Sequence, residues 1–136
     1  MDFLKTLSVA ASGLKAQSGR MRVIAENIAN ADSTAERPGG DPYRRKVASF
    51  SRHFDRELEA NVVELGRIRP DQSAFRTKYE PGNPAANANG EVKLPNVNTL
   101  VETVDMREAQ RSYEANLNLI TATRRMISRT LEILRV

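Results

Sequence analysis

No cysteine occurs among the 136 residues, so neither a disulfide framework nor a thiolate metal site can form. Tryptophan is also missing, and aromatic residues make up only 5% of the chain, which leaves few bulky side chains to fill a globular interior. The one histidine, His53, sits among Arg52, Asp55 and Glu57 and reads as a surface residue. A catalytic role would need a positioned base and nucleophile around it, and a lone histidine makes a poor metal site. Gly39 and Gly40 lack the strand-to-helix glycine pattern and following Lys-Ser or Lys-Thr of a phosphate-binding loop. No apolar run approaches membrane-spanning length, and the start, with Asp2 and Lys5, does not resemble a cleaved signal peptide. An enzyme is therefore not expected, nor a cofactor, a metal or a small-molecule substrate.

What the chain does have is apolar periodicity at both ends. Leu7, Leu14, Met21 and Ile28 recur every seven residues, partnered by Leu4, Ala11, Ser18 and Ala25. Near the other end Tyr113, Ile120, Ile127 and Leu134 repeat the spacing, partnered by Leu117, Arg124 and Leu131. Sustained patterning of this kind is what helices need to pack lengthwise. The expected fold class is mainly α: long N- and C-terminal helices packed as a coiled coil, with a small β-hairpin-containing middle region and Pro/Gly-rich loops. Three segments follow, a helix over 1–31, a loop and small β-containing outer region over 32–98, and a helix over 99–136.

Local signals set the expected boundaries. Asp2 is a plausible N-cap for a first helix from about Phe3 to Ala29, which Asn30 and Asp32 stop. Gly13 and Gly19 weaken it, each by up to about 1 kcal/mol relative to Ala. Pro38, Gly39, Gly40 and Pro42 exclude regular helix over 33–42. The stretch 43–54 is ambiguous between extended chain and short helix, while 61–68 and 75–79 read as strands of one small hairpin turning at Pro70 and Asp71. A second loop is expected over 81–95. Thr99 stands three residues before Glu102, the spacing of a capping box, and opens the last helix.

Placing the apolar columns around each axis shows more than one stripe per helix. Phe3, Ala10 and Ile24 widen the main seam of the first helix, whereas Val9, Ala16 and Val23 lie nearly opposite it. Leu119, Met126 and Ile133 form a separate column on the last. A two-helix hairpin covers one face of each helix, so neighbouring subunits are expected to bury the rest. The expected assembly interface comprises Leu4, Leu7, Ala11, Leu14, Met21, Ile24 and Ile28 with Tyr113, Leu117, Ile120, Ile127, Leu131 and Leu134. A stand-alone coiled-coil assembly protein is the structural alternative. A basic nucleic-acid-binding helical protein would fit the net charge of +4, but acidic residues interrupt both helices and no single basic face results. The run Tyr43, Arg44, Arg45, Lys46 reads as a docking or salt-bridge element, with no stacking aromatics arranged for nucleic acid.

Several motifs converge on one family. Ala25–Asn30, AENIAN, followed by Ala31, Asp32, Ser33 and Thr34, resembles the N-terminal signature of bacterial flagellar axial proteins, the rod, hook and filament-junction group. DPYRRK at 41–46, PNVN at 95–98 and VETVDMREAQRSYEAN at 101–116 are similar to the proximal-rod branch of that family, the FlgC type. The resemblance implies a structural subunit of the basal-body rod, in which terminal helices form the inner tube of a helical assembly that transmits motor torque. It implies as partners the chain itself and other flagellar rod proteins, then the inner-membrane ring and export gate, with no nucleic acid. It also implies a periplasmic rod location reached through the flagellar type III apparatus without a cleaved signal peptide. Asn27, Asn30, Asp32 and Thr34 are the signature positions it assigns at the end of the first helix.

Overall fold

The computed structural model describes residues 2–135. Its elements, in chain order, are helix α1 (Phe3–Ala29), strands β1 (Lys46–Val47), β2 (Phe50–Asp55), β3 (Ala60–Leu65), β4 (Arg69–Pro70), β5 (Arg76–Tyr79) and β6 (Glu91–Leu94), and helix α2 (Thr99–Ile133). The strands pair antiparallel in three two-stranded sheets, β1 with β4, β2 with β3 and β5 with β6. Among the described residues helix accounts for 46% of the chain and strand for 18%. This overturns the expected mainly α coiled coil: the architecture is two helices with several small antiparallel sheets.

The elements form two compact units. One contains Met1–Met21, Ser49–Arg67 and Arg107–Val136; the other contains Arg22–Ala48 and Ile68–Met106. In the first unit the helical segments run antiparallel, since Gly13 lies against Asn116 and Arg20 pairs with Glu108 at 3.8 Å. A Cβ on Gly13 would stand 3.0 Å from the Asn116 amide, so glycine permits the approach here. The β2–β3 hairpin lies against α1, where the Val63 amide donates to Ser12 Oγ at 3.2 Å. Leu65 Cδ2 occupies the space that a Cβ on Gly19 would need. The two glycines that weaken the isolated helix thus serve its packing.

The buried residues explain why the coiled-coil expectation fails. On α1 they are Ala10, Ala16, Val23, Ile24 and Asn27, and Ala16 and Val23 belong to the column expected to lie opposite the main seam. On α2 they are Glu102, Ala109 and Thr123, with Asn116 half-buried between them. That column also recurs every seven residues, but it is small and polar. Helix faces of Ala, Gly, Thr and Asn let backbones approach closely without interlocking Leu knobs, and a buried polar pair replaces an apolar layer. Periodicity detects stripes but does not rank two stripes on one helix.

Helix ends follow local chemistry. Asp2 Oδ1 accepts the Lys5 amide at 3.1 Å, an N-cap at the expected place. Asn30 Nδ2 bonds back to the Glu26 carbonyl at 2.8 Å, and Asn30 O accepts the Ser33 amide, closing α1. At α2 the cap is Asn98, whose Oδ1 accepts the Leu100 amide at 3.1 Å, one residue before the expected Thr99. Glu102 is not a capping-box partner, because its carboxylate is drawn into the interior.

The expected pairing of 61–68 with 75–79 also fails. β3 pairs with β2, built from the stretch that was ambiguous, and β5 pairs with β6, which lies in the expected second loop. Asp55 Oδ1 accepts the Glu57 and Leu58 amides and organises the β2–β3 turn, in which Glu59 takes a left-handed φ of 48°. Asn87 Oδ1 does the same for the β5–β6 turn by accepting the Asn89 and Glu91 amides. Gly90 follows there at φ 80°. These side chains supply turns that Gly and Pro counting alone passes over.

Candidate functional site

Two features carry chemistry, a buried polar cluster in the second unit and exposed apolar residues on the helices. The cluster is centred on Asn27 and Glu102, each only 1% exposed. Asn27 Nδ2 donates to the Lys46 carbonyl at 2.8 Å and to Glu102 Oε2 at 3.0 Å. Asn27 Oδ1 accepts the Tyr43 hydroxyl at 2.8 Å and the Lys46 amide at 2.9 Å. Every hydrogen-bonding position of that amide is used, as a buried polar group requires.

Arg45 forms the other half. Its Nε bonds Glu102 Oε1 at 2.5 Å, its Nη1 reaches Asp71 Oδ2 at 3.3 Å and its Nη2 lies 3.8 Å from Asp105. Burial pulls the Arg45 pKa down, but hydrogen bonds and charge from Glu102 and Asp71 outweigh it and raise the pKa above its ordinary value. Asp71 is held below the usual carboxylate range, first by the Ser73 backbone and side chain and then by Arg45. Tyr43 is pushed up to about 12, chiefly by burial and then by the charges of Glu26 and Glu102, so its phenol stays a donor. Asn96 locks the surround: its Oδ1 accepts the Arg45 amide at 2.8 Å and its Nδ2 donates to the Asp71 carbonyl at 3.0 Å. Lys46 pairs with Glu26 beside the cluster, and Arg44 lies over the Phe75 ring at 4.2 Å.

Such an arrangement holds chain segments together. The salt-bridge reading of 43–46 matches these contacts. Among the described residues no group of three His, Cys, Asp or Glu side chains is placed to hold a metal ion, and His53 is exposed on β2.

The signature positions divide. Asn27 is the centre of the cluster and Asn30 closes α1. Asp32 is exposed and lies 3.9 Å from Arg76, and Thr34 is exposed. Glu102 was hidden from sequence reasoning because an acidic residue at capping-box spacing looks like a cap. The signal that could have found it is its place in the seven-residue column with Ala109, Asn116 and Thr123.

The expected interface residues also divide. Ile24 lies in the chain's own core. Leu7, Leu14, Met21, Ile28, Tyr113, Ile120 and Ile127 are half-buried. Ala11, Leu4, Leu117, Leu131 and Leu134 are exposed, Leu4 at 74% and Leu134 at 75%. Leu131 and Leu134 share the face of Ile120 and Ile127, but the antiparallel register carries the last turns of α2 past the first turn of α1. Leu119, Met126 and Ile133 are exposed in a column of their own, and Leu100, Val101 and Val104 open the first turns of α2 to solvent. Sequence reasoning did not single out those three.

Residues 7–35 match the family model described as "Flagella basal body rod protein", and residues 88–133 match "Flagellar basal body rod FlgEFG protein C-terminal". The chain is 48% identical over 136 residues to flagellar basal-body rod protein FlgC of Agrobacterium fabrum, covering 99% of this chain and 98% of that protein. It is similar to the FlgC of Bacillus subtilis at 40% over 148 residues, covering 98% and 99%. For the FlgC of Salmonella typhimurium the identity is 39% over 133 residues, covering 98% of each chain.

Proposed function

The chain belongs to the FlgC family of flagellar basal-body rod proteins and is a structural subunit of the rod; from that premise we propose that it assembles with neighbouring rod subunits through the exposed apolar residues of α1 and α2. The observation that carries this is the inversion of the usual arrangement, small and polar residues inside the chain and large apolar ones outside. Burying one Leu or Ile contributes roughly 1.5–3 kcal/mol, so Leu4, Leu117, Leu131 and Leu134 together supply a driving force that a solitary chain leaves unused. Exposed apolar surface in excess of scattered single residues fits a protein–protein contact.

Contacts between different faces of successive subunits, repeated by a rotation that does not close, generate an open helical assembly. Close packing in such an assembly resists sliding, because many side chains must be displaced together. We therefore propose torque transmission in place of turnover, with other rod proteins, the inner-membrane ring and the export gate as neighbours, in the periplasmic part of the basal body. Domain roles follow the same reading, with 1–31 and 99–136 inward and 32–98 outward. The fully satisfied Asn27–Glu102–Arg45 cluster supports it as a rigid clasp at the ends of the two helices.

The test is complementation of a null strain with Leu131→Arg or Leu117→Arg. Expected are normal expression, an unchanged monomer melting temperature and loss of swimming together with loss of complete rods. Wild-type swimming by both variants refutes the assembly surface.

A further inference from the structure

Two exposed stripes run along α2 within the first unit. Leu117, Arg124 and Leu131 recur every seven residues and are all exposed. Glu108, Ala115, Leu119, Met126 and Ile133 form the other, and each of them is exposed too. By helix geometry the stripes stand roughly 160° apart, with the inward column of Ala109, Asn116 and Thr123 between them. Each stripe carries a single charge, of opposite sign. Arg124 makes no hydrogen bond or ion pair with any described residue. Glu108 is approached by Arg20 at one oxygen, Oε2, at 3.8 Å, beyond hydrogen-bond distance. A carboxylate so placed can still accept a second guanidinium.

From this juxtaposition we infer that the Arg124 stripe of one copy packs against the Glu108 stripe of a second copy, with Arg124 paired to Glu108 and Leu131 seated on Ala115. Both pairs need the same shift of sixteen residues along parallel helices, an axial offset of about 24 Å. A neighbour that covers Leu117 and Leu131 also takes Arg124 out of water, and a guanidinium so placed needs a carboxylate opposite it. Glu108 is the one acid on the facing stripe. Charge also disfavours a symmetric dimer. Aligning the leucines of the first stripe across a two-fold axis sets Arg124 on Arg124, and the second stripe offers its own copy a carboxylate without a cation. First stripe on second is the pairing that matches both charge and size, and because its two faces differ it repeats from copy to copy. The inference rests on the rod-subunit reading and names which faces of α2 meet.

Since the chain has no cysteine, an engineered pair reports on this contact alone. Ala115 and Leu131 lie about 24 Å apart on one helix, far beyond disulfide reach, so a bond between cysteines at those positions joins two copies. The full chain carrying Ala115→Cys and Leu131→Cys is expressed in a null strain, and purified basal bodies are oxidised and run without reductant. Expected are dimers and higher multiples of this chain, with neither single variant giving a dimer. Arg124→Glu added to the pair should reduce the cross-link at least about tenfold, and Glu108→Arg added in turn should restore it. In the cysteine-free chain, Arg124→Glu and Glu108→Arg should each lose swimming and regain it when combined, while all three melt as wild type does. The inference is overturned by a double-cysteine chain present in basal bodies without dimers, by a dimer from either single variant, or by a cross-link unchanged by Arg124→Glu. Swimming lost in both charge variants and not regained in the combination overturns it as well. Absence of the wild-type chain from basal bodies would instead refute the rod-subunit reading, which keeps the two failures distinct.

Discussion

Glu102 shows how much rests on single residues. Its carboxylate is buried with Arg45 on one side and the Asn27 amide on the other. Removing one partner of a buried ion pair leaves an uncompensated charge, at a cost of about 3 kcal/mol or more. Arg45→Met should therefore lower unfolding stability by ~3 kcal/mol in urea titration, and Glu102→Gln by less, since a neutral amide still occupies the space. An Arg45→Met variant as stable as wild type would show that the cluster is ornamental. Tyr43 adds a pH limb. Its folded pKa of about 12 lies above the ordinary 10.0, so the neutral phenol stabilises the fold fully below pH 10. That contribution is lost as pH rises from 10 towards 12, because the unfolded chain releases the proton first. Tyr43→Phe should flatten this alkaline limb while costing about 1 kcal/mol at neutral pH from the lost hydrogen bond to Asn27. Thermal melts from pH 7 to pH 12 measure both.

At the scale of elements, the ends of α1 and α2 are set by side chains that bond their own backbone. Asn98 accepts the Leu100 amide and caps α2, so Asn98→Ala should lower the melting transition by an amount equivalent to about 1 kcal/mol. Thr99→Ala should have a much smaller effect, since the Thr99 side chain is not the cap. Differential scanning calorimetry on the two variants separates the assignments. The strands follow a different logic. β6 was illegible as a strand because its four residues, EVKL, adjoin a stretch rich in Asn, Gly, Ala and Pro. Its Val92 is nonetheless buried, and Asn87 provides the turn by accepting two amides. Short strands owe their existence to partners, and a partner's register is not written locally.

For the whole molecule, the question is which apolar surface the chain keeps for itself. The α1 face that packs inside carries Ala16, Val23 and Asn27, while the stronger seam of Leu7, Leu14, Met21 and Ile28 is only half-buried. A monomer in dilute solution should accordingly associate through large side chains as concentration rises. Sedimentation should show concentration-dependent growth for wild type and a reduced tendency for Leu131→Arg, at unchanged helix content by circular dichroism. A wild-type chain that stays monomeric throughout the range would contradict the assembly reading.

Composition, the start of α1 and the motif set at 25–34, 41–46, 95–98 and 101–116 determined by themselves that this is a cysteine-free, two-helix rod-family protein with more than one apolar stripe on each helix. Those properties are local: a cap, a period and a run of residue types need only their neighbours in the chain. Only the tertiary structure decided which stripe turns inward, that Glu102 is a buried anchor in place of a cap, and which strands pair. Each of those depends on residues far apart in sequence competing for the same space, and close approach through glycine and alanine won over the larger side chains that periodicity favours.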